Sequence, residues 1–127
     1  MSIVRRSLLV LCALTLAAPS WALDVQPYSA SALAAAQGAG RPVVLHFHAD
    51  WCPTCRAQDK SFDALKSEPG LDVTVLRVDY DKETELNRAL KVRTQSTLIA
   101  YHGASERARL VGQTDVDAVR KLLKAAL

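Results

Sequence analysis

The sequence predicts an α/β sandwich built on one small core, and three observations carry that reading. Apolar runs of strand length alternate with segments of helical spacing in the order αβαβαββα. A composition 50% hydrophobic, 23% charged and 6% aromatic, with five Gly and five Pro, lies near the globular average. Setting the first 22 of the 127 residues aside leaves 105, enough for one domain with one core.

Residues 1–22 read as a cleavable signal peptide. Arg5 and Arg6 give a basic start, an apolar run follows over residues 8–18, and Ser20 and Ala22 fit the small-residue cleavage rule. A run of that length falls short of the roughly 20 residues that a spanning helix needs, so no membrane anchor is expected. Val4 before the arginine pair makes the twin-arginine match partial, and Leu11 before Cys12, inside the apolar run, disfavours a lipoprotein. The remaining domain is residues 23–127, and its expected location is periplasmic or secreted.

Within that domain, Ser29 or Ser31 caps a short Ala-rich helix that stops at Gly38. After Arg41 and Pro42, residues 43–49 form an apolar run of strand length, with Cys52 just past its carboxyl end. Pro53 suits the first turn of a helix, Phe62 and Leu65 give that helix an apolar side, and Pro69 and Gly70 end it. A strand over 73–79, a helix over 83–90 and a strand over 97–101 follow. The chain then turns over 103–105 into a partner strand over 107–111. Thr114, paired with Asp117, caps a last helix whose Val116, Val119, Leu122 and Leu123 share one face.

Removing Arg5 and Arg6 from the 16 basic residues leaves 14 against 13 acidic ones, a net charge of +1. Both signs are interspersed, which gives no nucleic-acid footprint, polybasic arm or membrane-surface stripe. No internal repeat or linker interrupts the domain. Asp79, Asp81 and Glu83 lack the spacing and the Gly of a calcium loop and read as strand-end and helix-start charges; His102 reads as a turn residue.

With Cys12 in the signal segment, the exported domain holds Cys52 and Cys55, one C-x-x-C. Closing so small a loop stabilises little, so redox chemistry explains the pair better than stapling does. A C-x-x-C between a buried strand and the start of a helix is in the setting of a redox motif. Free N–H groups and the helix dipole there favour the thiolate of Cys52, which makes it the nucleophile. Cys55, one turn further in, becomes the buried thiol that resolves the mixed disulfide.

Phe47-His48-Ala49-Asp50-Trp51-Cys52, with Cys55, resembles the active-site segment of the thioredoxin family. Val78-Asp79 is similar to its third strand, and residues 92–99 to its substrate-docking loop and fourth strand; Gly103 and Gly112 fit the turns that follow. The resemblance covers nearly all of residues 23–127. It implies a thioredoxin-like three-layer α/β/α sandwich with a central mixed sheet, and thiol–disulfide exchange as the activity. It also implies a docking surface of Trp51, Pro53, Thr54, Ser96 and Thr97. Asp50 and Arg56 read as solvated neighbours of the motif.

Two positions depart from the family pattern. Ser96 stands where the family carries a cis-proline, and a non-proline cis bond costs roughly 3 kcal/mol, so the Gln95–Ser96 bond is expected to be trans. Restoring proline there is expected to stabilise the loop. His46 stands where the family keeps a buried Asp that handles the proton of the second cysteine. Period two puts His46 and His48 on one side of the strand, and His46 is assigned that proton role, titrating between about pH 5 and 8.

The resulting expectation is a thiol–disulfide oxidoreductase, a reductase or isomerase of cysteine-containing exported proteins. Pro53 and Thr54 place no cation between the cysteines to overstabilise a thiolate as a strong oxidant would. By analogy, electrons would come from a membrane thiol relay. No dissociable cofactor is implied. The alternative is a copper or zinc carrier using Cys52, Cys55 and either His46 or His48; a third reading is a weakly catalytic module that holds peptides at the Ser96 loop.

Overall fold

A computed structural model of the chain describes residues 22–127. The signal-peptide reading, with Arg5, Arg6 and Cys12, lies outside the described residues except at Ala22. The elements run β1 (Asp24–Pro27), α1 (Ala30–Gly38), β2 (Pro42–His48), α2 (Pro53–Leu65), β3 (Thr74–Asp79), α3 (Thr84–Ala89), β4 (Thr97–His102), β5 (Ser105–Val111) and α4 (Val116–Ala125). The sheet is mixed, in the order β1-β3-β2-β4-β5. β1 and β2 each pair parallel with β3, whereas β4 is antiparallel to both β2 and β5.

Alternation along β2 separates two cores. Val44 joins Leu98 and Ala100 beneath Phe62 and Leu65 of α2 and Val119, Leu122 and Leu123 of α4. Val43, Leu45 and Phe47 face the other way with Leu76, Val78 and Ile99, under Leu33 of α1 and Leu86 of α3. Helices on both faces make this the three-layer α/β/α sandwich. Both faces of β2 are buried, which explains its nearly continuous apolar run. The two histidines that interrupt the run point to the α2 side.

Several boundaries differ from the sequence reading for local reasons. β1 was not expected: four residues ending in Pro27 carry too little alternation to signal a strand, and pairing with β3 creates it. Ser29, not Ser31, caps α1 by accepting the Ala32 N–H at 3.0 Å. α2 stops at Leu65, ahead of Pro69 and Gly70. The cap of α4 is Asp115, whose carboxylate accepts the Ala118 N–H at 3.1 Å, while the Thr114 carbonyl accepts a hydrogen bond from Ser61. A carboxylate is the stronger acceptor facing a positive helix end, and it sets the register one residue later. His102 is the last residue of β4 rather than part of the turn, and its Nδ1 lies 2.9 Å from the Ala126 carbonyl at the end of α4. The turn itself needs Gly103: its φ is +57°, and a Cβ there would meet the Gly40 Cα at 3.2 Å.

Candidate active site

The strand-to-helix turn after β2 delivers Cys52 to the N-cap of α2, with Pro53 in the first turn where no N–H is required. The Cys52 Sγ accepts the Cys55 backbone N–H at 3.1 Å. Turning back over the first turn also covers the sulfur, so Cys52 is 2% exposed rather than lying open at the helix start, and Cys55 is fully buried. Both are free thiols. Burial, followed by the hydrogen bond with Cys52, pushes the Cys55 thiol up to about 11. The pair therefore has the asymmetry of a nucleophile and a resolver: one sulfur faces a backbone donor at a helix start, and the other is held protonated.

A backbone acceptor ties this turn to the opposing loop. The Phe47 carbonyl accepts the Ser96 N–H at 2.7 Å and lies 3.9 Å from the Cys55 Sγ. The described residues contain no cis peptide bond, and Ser96 takes a left-handed φ of +61°. The Ser96 carbonyl accepts the Gly112 N–H at 3.0 Å, and its hydroxyl donates to the Gln95 carbonyl at 2.5 Å. Ser96 is thus a serine in a conformation that glycine favours, held by hydrogen bonds on every side.

The remaining candidate site residues fall into two groups. Trp51 is 59% exposed, and its Nε1 donates to Asp81 at 2.8 Å; Pro53 is exposed beside it and Thr54 half-buried. Asp79 accepts the backbone N–H groups of Asp81 and Lys82, which fixes the loop that presents Asp81. A groove of about 360 Å³ runs past Trp51, with His48, Asp50, Arg77, Asp79 and Asp81 among its walls. Arg56 donates to the Asp50 carbonyl at 2.7 Å. Thr97, by contrast, is buried in β4 and donates to the Thr94 carbonyl at 2.9 Å.

His46 and His48 sit side by side beneath α2, with ring centroids 5.2 Å apart. The Nε2 of His48 lies 2.9 Å from Asp59, whose other carboxylate oxygen accepts Arg77 at 2.7 Å and stands 3.7 Å from the His46 Nδ1. The Nε2 of His46 lies 2.9 Å from the Gln58 Oε1. Burial lowers the His46 pKa to about 4 against the opposing pull of Asp59, so it stays neutral through the range where the sequence reading had it titrate. The carrier alternative required one of these imidazoles beside both thiols. Among the described residues no group of three or more His, Cys, Asp or Glu side chains is disposed to hold a metal ion.

Sequence reasoning missed Gln58, Asp59 and Arg77. For two of them the signal was present: Gln58 and Asp59 stand three and four places after Cys55, where polar side chains share the helix face that the cysteine buries.

Comparison with known proteins fits this geometry. The thioredoxin family profile matches residues 29–125. A thioredoxin-like protein from Edwardsiella tarda is 33% identical, with a TM-score of 0.72, over 78% of this chain and 98% of its own. Thioredoxin 2 of Plasmodium falciparum is 34% identical over 67 residues, which are 53% of this chain and 43% of that protein. The bifunctional thioredoxin reductase/thioredoxin of Mycobacterium leprae is 28% identical over 71% of this chain, which spans a fifth of its length (20%).

Proposed function

Because the chain belongs to the thioredoxin family, we propose that it is a protein thiol–disulfide oxidoreductase working through Cys52 and Cys55. The observation that carries this is the Cys52 Sγ at the cap of α2, 3.1 Å from the Cys55 N–H, with the second thiol buried directly behind it. The Cys52 thiolate attacks one sulfur of a substrate disulfide, forms a mixed disulfide and releases the other sulfur as a thiolate. Cys55 then loses its proton and attacks the Cys52 Sγ, closing the Cys52–Cys55 disulfide and releasing the second substrate thiolate. Two electrons pass from the pair to the substrate. With the Cys55 thiol raised to about 11, this second step needs a base. His46 is assigned that role as the neutral imidazole beneath α2 with an unpartnered Nδ1; with its pKa lowered to about 4 it is a weak base that relays the proton rather than keeping it.

The substrates are cysteine-containing exported proteins docking across Trp51, Pro53, Thr54 and the turn at Ser96, beneath which Thr97 is buried. The basic and apolar pattern of residues 1–22 supports export to a periplasmic or secreted location. Pro53 and Thr54, with no cation between the thiols, support reduction or isomerisation, fed by a membrane thiol relay. Equilibration of the pair against glutathione tests the direction. A reduction potential near roughly −270 mV supports a reductase, and one near roughly −120 mV would make the protein an oxidant instead.

A further inference from the structure

Gln58 is fully buried, and every polar group it owns is engaged. Its Nε2 donates to the Ser96 carbonyl at 3.0 Å and to the Gln113 carbonyl at 3.0 Å. Carbonyls cannot donate, so these two partners fix which end of the side chain is the amide nitrogen. Both of its hydrogens are then used, and the oxygen left facing His46 can only accept. It follows that the His46 Nε2 carries the hydrogen and that its Nδ1 holds the lone pair. The His46 Nδ1 has no hydrogen-bond partner, and the Asp59 carboxylate, 3.7 Å away and beyond hydrogen-bond distance, does not outweigh the 2.9 Å contact that fixes the hydrogen on Nε2.

The same amide grips the turn opposite the cysteines. Ser96 holds its left-handed φ of +61° with its carbonyl saturated by Gln58 from one side and Gly112 from the other. Gln58 is three residues after Cys55 on one helix, so the segment that carries both thiols also carries the clamp on the docking turn. We propose that Gln58 is a positioning residue for the exchange reaction: it sets His46 as the Nε2–H tautomer, leaving Nδ1 as the proton acceptor, and it holds the Ser96 turn in register with Cys52. This rests on the thiol–disulfide reading above. Gln58 touches no reacting sulfur, and it acts through the two groups it holds.

Nitrogen NMR of the histidine rings in the isotope-labelled full chain at neutral pH tests the first half without any substitution. The expected spectrum shows a protonated Nε2 and an unprotonated Nδ1 for His46, and the opposite tautomer would overturn the assignment. Two variants test the second half. Gln58→Glu keeps an acceptor for His46 but loses both donors, so the tautomer should persist; Gln58→Met loses both functions, and the tautomers should mix. In Gln58→Glu, which keeps the tautomer, kcat/KM should fall about tenfold or more with insulin, carried by KM, and by less with a small aromatic disulfide, which needs no docking turn; Gln58→Met should in addition lose kcat with both. Equal losses with both disulfides in Gln58→Glu would reduce the clamp to packing, no loss with insulin would overturn it, and a Gln58→Met that is no slower than Gln58→Glu with the small disulfide would overturn the role of the tautomer. A parent chain inert towards both disulfides would defeat the exchange reading itself, a result distinct from any behaviour of the variants.

Discussion

The backbone amide of Cys55 points at the sulfur of Cys52 across 3.1 Å, so the residue proposed to resolve the mixed disulfide also caps the proposed nucleophile. The contact joins folding to chemistry. A sulfur at an N-cap satisfies one of the orphan donors of α2, and it does so at the residue proposed for attack.

The cap makes a stability prediction. Serine is a strong N-cap and alanine a weak one, so Cys52→Ala should unfold at lower urea than Cys52→Ser, by about 1 kcal/mol. Equal midpoints for the two variants would show that the 3.1 Å contact contributes nothing to the helix.

Ser96 makes a second. At a φ of +61°, a Cβ costs roughly 1 kcal/mol, so Ser96→Gly should be more stable than Ser96→Ala by about that amount, since both lack the hydroxyl. Proline does not restore the loop, contrary to the sequence expectation: its φ is confined near −65°, and it removes the N–H that Phe47 accepts. Ser96→Pro should rank below both in chemical denaturation; a Pro variant as stable as the parent would refute the left-handed assignment.

The depressed His46 pKa has a sign that equilibrium unfolding can read. The unfolded chain takes up a proton at this residue below about pH 6.5, and the folded protein refuses it until about pH 4. Stability is therefore undiminished above that window and declines as pH falls through it, by about 3 kcal/mol at the lower end. The difference between the parent and His46→Gln, measured from pH 7 to 4, isolates this component from other acids. A pH-independent difference would place the histidine in an ordinary solvated setting.

The proton role proposed for His46 predicts a rate profile. Release from a preformed Cys52 mixed disulfide should hold nearly constant from about pH 8 to 5 and fall only as His46 protonates towards about pH 4. In His46→Ala the step should be slower at neutral pH and rise with pH towards the Cys55 value of about 11. Stopped-flow traces that superimpose for the two proteins would leave another base to be found.

The fold was largely legible in the sequence because its punctuation is local. Pro53 opens α2, Gly103 turns the β4–β5 hairpin, and the apolar run of β2 needs burial on both faces. β1 was invisible because only its partner β3 makes it a strand. At the site, the C-x-x-C and the same-side placement of His46 and His48 followed from spacing alone. The burial of Cys52 did not, since it depends on a sulfur folding back onto its own helix. Nor did the depressed pKa of His46, because the sequence shows an imidazole but not the Phe62 ring 5.2 Å from it or the Gln58 amide that occupies its Nε2.

The central claim, that Cys52 attacks and Cys55 resolves, is tested most directly by trapping. Cys55→Ser keeps the backbone N–H that faces the Cys52 sulfur and removes only the resolving thiol. Incubated with a disulfide-bonded protein and quenched in acid, it should accumulate a mixed disulfide, which mass spectrometry locates on Cys52, while Cys52→Ser should accumulate little or none. Equal accumulation on the two variants, or trapping through Cys55 alone, would contradict the assignment.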